Sequence, residues 1–135
     1  MATQAKAGNL KDQAAALDKA ADALSERIKA PKTPKRERER LFEQSQQLRS
    51  QAFQLETMAA EGIVKEMAVE VDRLQSEIDK AAKVLATIKR VKDVITVSTS
   101  LVQLASAIAT GQPAAIAQAL STLKDDTERV KSKQV

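Results

Sequence analysis

The chain has 135 residues, 30% of them charged, a net charge of +4, and no histidine, cysteine, tyrosine or tryptophan. Those missing side chains exclude disulfides, thiolate chemistry, imidazole metal sites and the commonest nucleophile–base pairs. Phe42 and Phe53 are the only aromatics, so a core must be assembled from Ala, Leu, Ile and Val. Helix formers dominate over three glycines and three prolines, which points to an all-α protein. A chain of this length buries roughly two-thirds of its unfolded surface as one domain.

The first helix is expected over residues 9–29, with Asn9 as N-cap and Asp12 as a weak capping partner. Leu10, Leu17 and Leu24 recur every seven residues, and Ala14, Ala21 and Ile28 fill the alternate positions. The result is a narrow stripe that lets another helix approach closely. Pro31 and Pro34 end that helix; Thr33 is placed to cap the next one, with Pro34 at its first position. The second helix carries Leu41, Leu48 and Leu55, interleaved with Ser45, Ala52 and Ala59. Two matching stripes joined by a short connection predict an antiparallel helical hairpin.

A second heptad series then runs through Val64, Met67, Val71, Leu74, Ile78, Ala81, Leu85 and Ile88, until Lys92 interrupts it. Glu61-Gly62-Ile63 lacks the usual Asn, Asp or Pro turn chemistry, and Phe53 fits the later register. Both favour one continuous or Gly62-kinked helix over residues 34–97, roughly 95 Å long at 1.5 Å per residue. The β-branched and hydroxyl-rich patch Val94–Ser100 is a weak point, where Ser98 or Thr99 is placed to cap a new helix. From Val94 to Leu123 there is no charged side chain. Gly111 and Pro113 split this stretch into a helical hairpin spanning residues 98–131. The architecture expected is therefore an elongated helical bundle of antiparallel helical hairpins with coiled-coil seams.

No glycine-rich phosphate loop is present, and no Glu-x-x-His pair, so neither enzymatic activity nor a cofactor is expected. The carboxylate pairs Asp18–Asp22, Asp22–Glu26 and Glu66–Glu70 read as solvated helix faces, with Glu77–Lys80 and Asp79–Lys83 as ion pairs. Lys32, Lys35, Arg36, Arg38 and Arg40, with Lys29 and against Glu37 and Glu39, account for the whole net charge of +4. They lie at a helix start, where the dipole disfavours positive charge, and are assigned as a contact for an acidic partner surface. The interleaved glutamates argue against nucleic acid.

The uncharged hairpin has to be buried against something. The favoured reading is a non-catalytic scaffold, adaptor or binding subunit that meets itself or a partner protein through Val97, Leu101, Val102, Leu104, Ile108, Ile116, Leu120 and Leu123. The alternative is a membrane-active protein that inserts the same hairpin. Long amphipathic helices joined to an uncharged Ala/Val/Ser/Thr hairpin resemble, in outline, the α-helical pore-forming toxins, which hide such a hairpin until they meet a bilayer. Met1–Gly8 has no apolar signal-like core, so the cytoplasm is the expected location. On this reading Leu104→Asp abolishes partner binding or oligomer mass in the first case and lipid binding in the second, measured by light scattering and vesicle flotation.

Overall fold

The computed structural model describes residues 4–5, 7–29, 33–61, 65–66 and 71–133. They form an all-α bundle of five helices: α1 Ala7–Ile28, α2 Lys35–Ala60, α3 Val71–Thr87, α4 Val91–Thr110 and α5 Pro113–Lys133. A two-residue antiparallel pairing sets Gln4 opposite Glu66 and Ala5 opposite Lys65.

The heptad leucines build the first half of the core. Leu10, Leu17 and Leu24 of α1 and Leu41, Leu48 and Leu55 of α2 are all fully enclosed, with Ala14, Ala21 and Ala52 between them. Small side chains at the alternate positions let the two helices lie side by side over most of their length. The connection differs from expectation in its capping. Thr33 Oγ1 donates to the Arg27 carbonyl at 3.0 Å, closing the end of α1. The N-cap of α2 is Pro34, in extended conformation and without a side-chain cap bond.

The single helix expected over residues 34–97 is instead three. The first, α2, stops at Ala60, where the Glu61 N–H reaches the Thr57 carbonyl at 3.0 Å. Gly62 lies outside the described residues. The next interruption falls at Ile88-Lys89-Arg90, ahead of the β-branched patch, which is helical. The reason lies in register. Ile88 and Val94 are both fully buried, yet six residues apart they cannot share one helix face. An unbroken heptad would turn Lys92 into the core. An extended Arg90, with φ −86° and ψ 126°, rotates the following helix so that Lys92 is exposed and Val94, Val97 and Leu101 face inward.

Hydroxyls in the patch bond back along the helix, Thr96 to the Lys92 carbonyl and Ser98 to the Ile95 carbonyl, each at 3.0 Å. Gly111 ends α4 in the left-handed region, with φ 70° and ψ 36°. Its N–H meets the carbonyls of Ala107 and Ile108, and Pro113 opens α5 as expected.

Long-range contacts define the directions. Gln75 reaches the Asp12 carbonyl, so α3 runs alongside and parallel to α1. Gln44 bonds Thr99 and Gln51 bonds the Val102 carbonyl, making α2 and α4 parallel. Ser100 bonds Asp126 across the antiparallel α4–α5 hairpin. One end of the bundle thus gathers the starts of α2 and α4 with the ends of α1, α3 and α5.

Gly111→Ala is expected to lower the free energy of unfolding by about 1–2 kcal/mol, because a Cβ is strained at positive φ. Gly111→Asn should cost less. Urea denaturation midpoints of the two variants check the ordering.

Candidate functional site

The eight apolar residues assigned to a partner surface do come together, but within the chain's own core. Val97, Leu101, Leu104, Ile108, Ile116 and Leu123 are fully buried and Leu120 nearly so. Val102 is half-buried, and its carbonyl accepts from Gln51 Nε2 at 3.2 Å. Helix α4 touches all four other helices, so the most apolar side of its uncharged surface is already covered, while Gln103, Ser106 and Thr110 face outward. The remaining seams of α4 are polar and specific. Gln44 bonds Thr99, while Ser100 and Arg129 share the Asp126 carboxylate, the guanidinium at 2.6 Å. For any of the seven buried side chains to anchor a partner, α4 and α5 would have to leave the bundle.

Two surfaces stand outside that core. The first is the outer face of α2. Phe42 and Phe53 are 54% and 70% exposed, although the register had placed Phe53 with the later apolar series. Phe42, Gln46, Arg49 and Phe53 follow one another at spacings of four, three and four, so they form one stripe on the exposed flank of α2 that borders α1, away from Leu41, Leu48 and Leu55. Arg49 is tied down by Asp22 at 2.8 Å and Ser25 at 3.4 Å. The signal was present in the sequence, since both phenylalanines fall off the leucine heptad.

The second surface is the basic end. Lys35, Arg36, Arg38 and Arg40 are exposed on the first turns of α2; Lys32 lies outside the described residues. The fold adds Arg90 and Lys92, which share a concavity of about 420 Å³ with Pro34, Glu37 and Val91. Beside it, Lys80, Lys83 and Lys131 rim a second concavity of about 270 Å³ floored by Val84, Thr87 and Ile88. No linear pattern connects these residues, because they meet only when five helix ends converge.

Several of the paired carboxylates have ordinary partners, while the Glu66 and Glu70 side chains lie outside the described ones. Asp22 holds Arg49, Glu26 holds Lys29 at 3.8 Å, and Glu77 holds Lys80 at 3.6 Å. Asp79 accepts from Gln75 at 3.1 Å. Among the described residues no cluster of three or more ligating side chains could hold a metal ion. Asp18 stands apart, its carboxyl raised above the ordinary value of 3.8 by burial and by the Glu56 and Asp22 charges, against the lowering effect of Arg49. The chain matches no protein-family model, no curated protein and no solved structure.

Because Asp18 binds its proton more tightly folded than unfolded, the stability it lends is present below about pH 3.8 and lost as pH rises through the raised value. At neutral pH its charge is a net cost. Asp18→Asn should therefore raise the urea midpoint at neutral pH, and the gain should shrink as the pH approaches about 4. Leu104→Asp, in contrast, sets a carboxylate in the core and is expected to abolish the cooperative thermal transition seen by circular dichroism.

Proposed function

We propose that this chain is a non-catalytic helical binding protein, a scaffold, adaptor or subunit that associates with itself or with another protein. The observation that supports the reading is the outward placement of both aromatic side chains. The large aliphatic residues of the α1, α4 and α5 stripes are enclosed, or half-buried at Ile28, Ile95 and Val102, whereas Phe42 and Phe53 are left in solvent on one stripe of α2. Exposed aromatic surface is costly to keep in water, and aromatic side chains are enriched where proteins meet. The docking face is thus α2, and the uncharged hairpin is the internal support that holds α2 rigid.

A second reading, membrane activity through the same hairpin, has one observation in its favour. Counted from Val91, α4 is 20 residues long with a mean hydropathy of 1.3 in its most apolar window. At 1.5 Å per residue it measures about 30 Å, the thickness of a bilayer core. The charge-free run alone is shorter. Insertion would require α4 to part from α2, so a tether between the two tests it. The chain has no cysteine of its own. Gln44→Cys with Thr99→Cys, joined by a short thiol-cleavable crosslinker, should block dye release from vesicles until the linker is cleaved. Release that is unaffected by the tether removes this reading.

For the favoured reading, the double variant Phe42→Ala/Phe53→Ala should keep its stability within about 0.5 kcal/mol, as exposed sites do. Its concentration-dependent mass by sedimentation should fall to that of the monomer. Photo-crosslinking from exposed position 46, between the two phenylalanines, in cells identifies the contact as self or as another protein. A variant that matches the parent in both mass and crosslinks would overturn the proposal.

A further inference from the structure

We propose that the basic end of the bundle docks the closed protein onto an anionic lipid bilayer. The inference goes beyond the α2 reading and rests on different residues. Lys35, Arg36 and Arg38 stand on the first turns of α2, and Arg90 and Lys92 flank the start of α4. Both are places where the helix dipole is already positive. Although Glu37 and Glu39 are interleaved with them and Glu37 lines the same concavity, none of these five cations takes part in the ion pairs Lys29–Glu26, Arg49–Asp22, Lys80–Glu77 and Arg129–Asp126 of the described residues. The fold thus collects unneutralised cations from two distant segments at one end, against their mutual repulsion, and leaves them exposed. Lys131 extends the same end from α5.

The shape of the surface selects the partner. It is a cap made of helix ends, with half-buried Val91 set among the cations, and not an elongated basic groove that could follow a nucleic-acid backbone. A bilayer presents many mobile anionic headgroups, which gather around scattered cations and tolerate the two glutamates between them. The most apolar helix of the chain, α4, is rooted at this same end. Docking as proposed leaves α4 inside the bundle, so it does not depend on insertion.

The test is co-sedimentation of the full chain with vesicles of phosphatidylcholine alone and with vesicles containing phosphatidylglycerol. Binding is expected only to the second kind and should fall steeply as salt is raised. Each cation removed should weaken partition about fivefold, so Arg90→Gln/Lys92→Gln should lose about 25-fold, as should Arg36→Gln/Arg38→Gln. Lys11→Gln, at the other end of α1, should change nothing. All these positions are exposed, and unchanged circular dichroism confirms that the variants fold. Equal recovery on both vesicle types, no recovery on either, or phosphatidylglycerol binding indifferent to Arg90 and Lys92 would each overturn the proposal. So would retention on duplex DNA without vesicle binding. Because Phe42 and Phe53 are untouched, loss of docking with self-association intact separates this proposal from the α2 reading.

Discussion

The structure depends on enclosing α4. From Val94 to Thr110 this helix has no charge, and on its inward side Val94, Val97, Leu101, Leu104 and Ile108 are fully buried. No single neighbour covers such a surface, because a helix that is apolar over more than one stripe needs partners on several sides. Helix α4 accordingly touches every other helix, with α2 and α5 as its main walls. The break at Ile88–Arg90 serves that enclosure. Without it Lys92 would point into the core and Val94 away from it. A local change of register at three residues is what makes the charge-free stretch usable as a centre.

A core of leucine and alanine brings helices close but specifies little about which residue lies opposite which. Here the register is held by polar bonds that cross between helices. Gln44 to Thr99 and Gln51 to the Val102 carbonyl set α2 against α4, Gln75 to the Asp12 carbonyl sets α3 against α1, and Ser100 to Asp126 sets α5 against α4. Each net hydrogen bond contributes only about 1 kcal/mol, but a slipped register would leave several of these groups buried without partners. Gln13 shows what that state costs. It is fully buried and neither amide atom meets a partner among the described residues. The interior has specificity at the α4 seams, and carries a residual penalty at Gln13 and also at Gln51 Oε1, Gln75 Oε1 and Thr127 Oγ1.

Much of this was legible from periodicity. The Leu10, Leu17, Leu24 and Leu41, Leu48, Leu55 repeats are an intramolecular signal, and the burial of all six follows the spacing. Gly111 and Pro113 state the α4–α5 turn in local chemistry that no packing contradicts. The break before α4 was not legible, since Ile88-Lys89-Arg90 contains no glycine or proline and is favoured only by what must be buried on either side. Helix propensity pointed instead to Val94–Ser100, where Thr96 and Ser98 bond back along the helix and Thr99 and Ser100 bond across to Gln44 and Asp126. The sequence also could not say what covers the uncharged hairpin, because an apolar stripe carries no label for its partner.

That last ambiguity accounts for where surfaces of interest lie. An uncharged segment reads as an interaction site only while its own chain is left out of consideration. Once α2, α3 and α5 close around it, the features that distinguish the exterior are those periodicity treats as background: two aromatics off the leucine stripe, and cations that look diluted in linear order. Folding reverses the dilution. The glutamates between Arg36 and Arg40 remain, but Arg90 and Lys92 arrive from the far side of a helical hairpin, and the end of the bundle becomes more basic than any segment that forms it. The charge-free core and the charge-rich end are consequences of one sorting, since a chain that keeps thirty consecutive residues without charge must place its charges on the remainder.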